Sequence, residues 1–210
     1  GSAPGSADVS APSVPRTTLQ VTPVLSAYDV TFEFLRRNIR EENAEDDLNS
    51  IFAKRWGKDL VQLIFSGDST ISPVTTRSDK LLSIFDGFIK TAEGDANVND
   101  YTIPGSPTYS GKGGVFNLML KLLPKDYRDQ RGELGFFCSQ NVLDDYVDEI
   151  GERATGLGDS VILQGSDTPY KGIKIHSVFG NADNRIILTL KRNLVVGYGD
   201  EMNVHRDVDG

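Results

Sequence analysis

A glycine-rich segment at residues 105–113 is the part of the sequence that comes nearest to a chemical motif. It reads Gly-Ser-Pro-Thr-Tyr-Ser-Gly-Lys-Gly, and glycine-rich loops bind phosphate groups through their backbone N–H groups. The nucleotide-binding motif has four residues between its glycines and a Ser or Thr after its lysine. Here five residues separate Gly105 from Gly111, and Gly113 follows Lys112. The spacing favours a mobile surface loop before a helix, and a nucleotide-handling enzyme built on this loop is the remote alternative.

A run of carboxylates at Asp144, Asp145, Asp148 and Glu149 is the second candidate, because carboxylate oxygens bind divalent cations. A cation site needs ligands that converge from several elements, whereas these residues follow one another along a single predicted helix. A solvated helix face therefore explains the run better than a metal site does.

The candidates for nucleophilic or metal chemistry are one cysteine, Cys138, and two histidines, His176 and His205. Cys138 follows two phenylalanines and has no histidine near it in sequence, which predicts a buried structural thiol. His176 lies in the alternating segment 173–178, which predicts a strand histidine with its hydrogen bonds satisfied. The sequence contains no Gly-x-Ser-x-Gly elbow and no His-Glu-x-x-His pair. The motifs therefore predict no enzyme, no cofactor and no metal.

The composition agrees with a globular protein that has no special chemistry. The chain has 210 residues, of which 38% are hydrophobic and 25% charged, enough to form a core without disulfides or metals. Its 22 basic and 30 acidic residues give a net charge of −8, which argues against a basic face that wraps nucleic acid. No apolar run approaches the roughly 18 residues of a membrane span, and no secretory signal is visible.

The strongest structural signal is a helical spacing of apolar residues between Asn43 and Ser66. Asn43 is the expected N-cap and Gly67 the expected terminator, which predicts a rod of roughly 33 Å at about 1.5 Å per residue. The apolar face of this predicted spine helix consists of Leu48, Phe52, Trp56, Leu60 and Leu63.

Shorter elements are predicted on either side of the spine helix. Two extended segments precede it, within residues 17–34. The elements expected after it are a helix capped by Ser78 and ending near Gly94, a polar loop at 95–114, a helix at 115–123 stopped by Pro124, a strand at 133–138, a helix capped by Ser139, and strands at 161–163, 170–178, 186–190 and 194–198. These elements predict an α+β fold with a largely antiparallel sheet.

The order of several short stretches carries a resemblance to a known family. The extended segments run into the spine helix, which closes on Gly67-Asp68-Ser69-Thr70, and Asp86-Gly87-Phe88-Ile89-Lys90 follows. The remaining stretches are 122–128, 134–139, 157–159, 170–175 and 193–198. Together they resemble the major capsid protein of tailed bacteriophages, whose Hong Kong 97-type fold is shared with encapsulins and the herpesvirus capsid floor.

The resemblance implies a Hong Kong 97-type α+β fold, with the spine helix in a P-domain and a mixed α/β A-domain. Residues 1–16 would be a flexible arm, linker or E-loop remnant, 17–69 the P-domain strands and spine helix, 70–195 the A-domain, and 196–210 a strand returning toward the P-domain. Lys174 stands where the family often has proline. Compared with the family, we expect the chain to be truncated at both ends and, alone, to form a monomer or small oligomer.

The resemblance also implies a function, that of a structural subunit of an icosahedral or prolate phage head. The subunit would self-assemble in the host cytoplasm into the virion capsid that encloses packaged double-stranded DNA. Its partners would be other copies of itself in pentamers and hexamers, then scaffold, portal and decoration proteins, with DNA bound only weakly and no membrane. The candidate inter-subunit loops carry Tyr101, Tyr109, Lys112, Gly156 and Asp167. An encapsulin-type nanocompartment shell is the alternative within the same fold.

Overall fold

A computed structural model describes residues 18–25, 44–152 and 169–199 of the chain. These residues fall into two units, one made of 18–23 with 197–199 and the other of the described residues between 24 and 196. In the small unit, Leu19 lies beside Gly197 and Val21 beside Gly199. Residues 18–25 form no regular secondary structure, and the rest of the predicted extended region 17–34 lies outside the described residues.

Helix α1 spans Ala44–Ser66 and confirms the predicted spine helix. Its expected N-cap, Asn43, lies outside the described residues. At its other end the Gly67 N–H donates to the Leu63 carbonyl at 2.9 Å, as expected for the terminator. Leu63 is fully buried, whereas the other predicted apolar-face residues are only partly buried: Leu48, Phe52, Trp56 and Leu60.

Two helices, α2 at Arg77–Leu82 and α3 at Phe88–Gly94, replace the single helix predicted after the spine. The N-cap of α2 is Thr76 and not Ser78, because the Thr76 side chain accepts the Asp79 N–H at 3.1 Å. The Asp79 carboxylate accepts the Thr76 N–H in return at 2.8 Å, so the two residues form a capping box.

The break between α2 and α3 has its cause in a close backbone contact at Gly87. The Gly87 N–H donates to the Gly67 carbonyl at 2.8 Å, and a Cβ on Gly87 would lie 2.7 Å from the Gly67 nitrogen and from the Ile64 oxygen. Only a glycine lets the chain approach the end of α1 this closely, so the apolar pattern that suggested one helix is interrupted there.

Helix α4 covers Val115–Leu122 and ends before Pro124, as predicted. Pro124 then precedes a four-residue helix, α5, at Lys125–Arg128, which the sequence pattern did not predict. Strand β1 spans Leu134–Cys138 and helix α6 spans Gln140–Gly151. The Ser139 side chain accepts the Val142 N–H at 3.3 Å, which confirms Ser139 as the N-cap.

The sheet of the described residues has three strands in the order β2-β1-β3, with β2 at Lys174–Ser177 and β3 at Ile187–Leu190. Strand β1 pairs parallel with β2 and antiparallel with β3, so the prediction of a largely antiparallel sheet is wrong. The reason is that α6 carries the chain back along the sheet before β2 begins, which makes a parallel crossover. A short 3-10 helix at Lys191–Asn193 follows β3, and residues 194–198 form no strand. The strand predicted at 161–163 lies outside the described residues.

The sheet has a different layer on each face. On one face, Phe116 of α4 packs against Phe136 of β1, with ring centroids 4.7 Å apart, and against Tyr146 of α6 at 5.2 Å. On the other face, Phe137 of β1 lies 5.8 Å from Phe65 of α1. Strand β1 is therefore covered by α4 and α6 on one side and by the end of α1 on the other.

Two of the three residues singled out for nucleophilic or metal chemistry lie in this sheet. Cys138 is fully buried, as predicted, and burial raises the pKa of its thiol to about 12. A thiol with that pKa stays protonated near neutral pH and is a poor nucleophile. His176 is partly buried and stacks on Phe137, with ring centroids 5.1 Å apart and an interplanar angle of 23°. His205 lies outside the described residues.

Candidate functional site

The loop at 95–114, which joins α3 to α4, is the candidate site that the sequence singled out, and its second half is tightly held. The N–H groups of Tyr109 and Ser110 donate to the two carboxylate oxygens of Glu149, at 2.6 and 2.7 Å. Glu149 belongs to the last turn of α6, where a negative charge is unfavourable to the helix dipole. The two donors offset that cost, and the carboxylate fixes the loop to the helix.

This arrangement decides between the two interpretations of the glycine-rich segment. A phosphate would need backbone N–H groups of this loop, and those of Tyr109 and Ser110 already bind Glu149. The contacts argue against a phosphate site, and they also correct the expectation of a mobile loop, because Tyr109 and Ser110 anchor the segment to α6. They also correct the prediction that the whole acidic run is solvated, because Asp144, Asp145 and Asp148 are exposed but Glu149 is partly buried and bonded.

Tyr109 differs from what its place in a polar loop suggests. Its side chain is 3% exposed and its ring lies 5.7 Å from that of Phe116 in the core, so burial raises the pKa of its hydroxyl. Gly111 follows in the left-handed region at φ 80°, and a Cβ on Gly114 would collide with the carbonyls of Tyr109 and Ser110. The loop therefore turns sharply around a buried tyrosine before α4 begins.

A second anchor joins this loop to the residues that lead into β2. Asn117 of α4 is 4% exposed, and its side-chain amide donates to the Lys112 carbonyl at 2.6 Å. The Lys171 ammonium donates to the side-chain oxygen of Asn117, also at 2.6 Å. The Tyr170 hydroxyl donates to the Gly111 carbonyl at 3.3 Å. Lys171 and Lys112 are thus joined through the buried Asn117, and Tyr170 and Gly111 are joined directly.

The other predicted contact residues have varied positions. Tyr101 is partly buried and packs against the core, while Lys112 is exposed. Gly156 and Asp167 lie outside the described residues. Among the described residues of this set, Lys112 is the one with an exposed side chain. The inter-subunit role of the set stays a prediction.

Helix α1 contributes a second region of interest around Asp59. This carboxylate is 7% exposed, and its oxygens lie 2.9 Å from Arg55 Nε and 3.9 Å from Arg77 Nη2. Beside it is a cavity of about 300 Å³, whose lining includes Trp56 and Leu25. Leu25 is 93% exposed, so this region presents apolar surface next to charged groups.

Two further features of the described residues bear on other functions. Within residues 18–25, 44–152 and 169–199, no group of three or more His, Cys, Asp or Glu side chains is placed to hold a metal ion. None of the helices in these ranges combines the length and the apolar character that crossing a membrane requires.

Sequence reasoning missed the roles of Glu149 and Asn117. Asn117 is a polar residue within the apolar helix Val-Phe-Asn-Leu-Met-Leu-Lys-Leu, and that exception to the pattern is the signal that could have identified it. Glu149 has no such signal, because its partners lie about 40 residues earlier in the chain.

The comparisons with known proteins give one similar relative. No protein-family model matches the chain. Over 214 residues the chain is 25% identical to a protein of Bacillus subtilis (strain 168) named "Putative prophage capsid protein YqbE". The alignment covers 95% of this chain and 64% of that protein, so the chain spans less than two thirds of its relative. The chain is thus similar, along nearly all of its length, to a protein named as a capsid protein of a prophage.

Proposed function

We propose that this protein is a structural subunit of a phage head, which assembles with copies of itself into a shell around double-stranded DNA. The observation that carries the proposal is the similarity to the Bacillus subtilis prophage protein over 95% of the chain. The subunit would be a virion component, and scaffold, portal and decoration proteins would be its further partners.

The fold is consistent with this proposed function, although the fold alone does not determine the function. The described chain is α+β, with the long helix α1 on one face of a small sheet and α4 and α6 on the other. We propose that this is the spine helix and A-domain arrangement of the Hong Kong 97-type fold. A shell subunit needs extended contact surfaces more than a catalytic centre, and α1 carries a partly uncovered apolar face.

The exposed part of α1 is the surface we propose for contacts with neighbouring subunits. Ile51 is 61% exposed and Val61 is 39% exposed, which places apolar side chains on the outside of the helix. Burying such side chains against another subunit contributes about 25 cal/mol per Å² of apolar surface. The 95–114 loop, with its exposed Lys112, is proposed as a further contact.

Electron microscopy of the protein expressed from its native gene tests the proposal. We expect closed particles of megadalton mass in a sizing column with light scattering. An exclusively monomeric protein under those conditions would contradict it. Particles that contain a cargo enzyme and no DNA would show an encapsulin-type shell in place of a phage head.

A variant pair makes the test specific to α1. Ile51→Glu adds a charge to an exposed apolar position, so it leaves the free energy of unfolding nearly unchanged but lowers the yield of particles. Ala53→Glu, which is also exposed, adds the same charge on the opposite side of the same helix and is the matched control. Equal yields for the two variants would remove this face of α1 from the proposed contact.

A further inference from the structure

We propose that Lys112, Arg131 and Lys171 form a cationic surface that binds the acidic face of α6 on a second copy of the chain. This inference rests on the proposed function, because it names one contact through which the subunits would associate. These three residues form the cationic surface, and the acidic face consists of Asp144, Asp145 and Asp148.

The cationic surface is a connected structure and not a chance cluster of side chains. The buried Asn117 side chain bonds the Lys112 carbonyl and the Lys171 ammonium, each at 2.6 Å. The Arg131 guanidinium donates to the Lys171 carbonyl at 3.3 Å. One chain of hydrogen bonds thus joins the Lys112 backbone, Lys171 and the Arg131 guanidinium, and all three residues are exposed.

This surface has no ion pair within the described residues. The ion pairs found there involve other cations, such as Arg185 with Glu93 and Arg192 with Glu133. The Glu149 carboxylate, which anchors the same loop, binds the N–H groups of Tyr109 and Ser110. In a chain with a net charge of −8, three exposed basic residues that share one hydrogen-bond network and pair with no carboxylate of the described residues are complementary to an acidic partner.

The acidic face carries negative charges that are likewise unpaired within the described residues. Its three carboxylates are exposed and form no ion pair within the described residues, although the Gln140 side chain donates to Asp144 at 2.8 Å. No basic residue lies in the last turn of α6, where the helix dipole favours a cation. Cations supplied by a second copy would therefore stabilise this end of α6 as well as the contact.

The two surfaces are different parts of one chain, so a contact between them is heterologous. Heterologous contacts repeat from copy to copy and generate either rings or open filaments. A contact of this type is the kind from which a ring-shaped capsomer is built.

Charge reversal on each side, followed by mixing, tests the contact. The basic-reversed variant is Lys112→Glu with Arg131→Glu, and the acid-reversed variant is Asp144→Lys with Asp148→Lys. Lys80→Glu with Lys125→Glu is the matched control, since both residues are exposed and the change in charge equals that of the basic-reversed variant. Sedimentation velocity measures self-association of the 210-residue chain over a range of protein and salt concentrations.

We expect the unaltered chain to associate weakly, with an association constant that falls as salt screens the charges. Each reversed variant alone should lose about tenfold or more in that constant, because like charges then face each other. An equimolar mixture of the two should recover association, while the control behaves as the unaltered chain does. Circular dichroism on each variant verifies that its helices are intact.

The inference would be overturned if the unaltered chain does not associate at millimolar concentration and low salt. It would also be overturned if the reversed variants associate as the control does, or if mixing them does not recover association. Loss of binding to a DNA duplex in the basic-reversed variant, with self-association unchanged, would also overturn it and assign the surface to nucleic acid. Particles formed from native-gene protein carrying the reversed residues would reject this contact but leave the proposed function standing. Recovery of association on mixing, with no particles in the native-gene experiment, would support this contact and contradict the proposed function.

Discussion

The two faces of the sheet differ in how completely the chain covers them. Around Phe116 and Phe136 the aromatic cluster is closed, with both side chains 0% exposed. Along α1, Leu63 is buried to the same degree, but Trp56 is only partly buried and Ile51 is exposed. The difference teaches that the aromatic cluster is closed within the chain, whereas α1 has apolar side chains that the described residues leave uncovered.

The largest test of this comparison replaces one aromatic side chain in each region. Phe116→Ala should lower the free energy of unfolding by about 3–5 kcal/mol, because the cavity it leaves is enclosed on all sides. Trp56→Ala should cost about 2 kcal/mol, since a partly buried side chain loses fewer contacts. Urea denaturation measures both. Equal losses of stability would show that α1 is as closely packed as the aromatic cluster, and the two faces of the sheet would then not differ in how completely they are covered.

The contact between Gly87 and Gly67 tests how firmly α1 is joined to the helices beside it. Gly87→Ala should destabilise the protein by about 1–3 kcal/mol, because the new Cβ would press on backbone atoms that cannot move aside. Gly57→Ala, inside α1 and with nothing within 4 Å of its Cβ position, should instead stabilise by about 0.5–1 kcal/mol. Thermal unfolding of the pair measures both signs. If Gly87→Ala left the stability unchanged, the backbone around Gly67 and Gly87 would be able to shift and accommodate the new Cβ.

The Glu149 anchor tests whether the 95–114 loop belongs to the rigid region. Glu149→Gln removes the charge and one acceptor oxygen, so we expect a loss of about 1–3 kcal/mol and faster hydrogen exchange at the amides of Tyr109 and Ser110. Asp148→Asn makes the same change of charge one residue earlier, on an exposed side chain, and should leave those amides protected. Unchanged exchange in Glu149→Gln would show that Tyr109, through its buried ring, holds the loop by itself.

The smallest expected effect concerns Asp79 at the start of α2. The Thr76 N–H bond, with the other donors of Thr75 and Thr76, lowers the pKa of Asp79 from 3.8 to about 2. Because the folded-state pKa is the lower one, its stabilisation is complete above the unfolded pKa of 3.8 and is lost as the pH falls toward 2. The urea midpoints of the unaltered chain and of Asp79→Asn should therefore converge between pH 5 and pH 2. Asp100→Asn, in the exposed part of the 95–114 loop, is the control; a gap that persists at pH 2 would contradict the capping box.

What the sequence predicted well depends on local chemistry. The spacing of apolar residues identified α1, α4 and α6, and the hydroxyl of Ser139 identified an N-cap, because helix periodicity and capping involve residues within a few positions of each other. The burial of Cys138 followed from its apolar neighbours in a strand.

What the sequence did not predict depends on contacts between distant residues. The break at Gly87 arises from Gly67, twenty positions earlier, and no local pattern contains that information. The parallel pairing of β1 with β2 follows from the path of the chain through α6 and beyond. The anchors at Glu149 and Asn117 join residues 39 to 54 positions apart, so the candidate site as a surface exists only after folding.

The position of β1 at the centre of the sheet has a consequence for how the protein is made. Both of its hydrogen-bonded neighbours, β2 and β3, follow it in the chain. As the polypeptide leaves the ribosome, β1 therefore emerges with two open edges, and its pairing cannot be completed until Leu190 has been synthesised. Until then the chain lacks its finished sheet, and β1 keeps an edge of unpaired backbone groups to which another unfinished chain could pair.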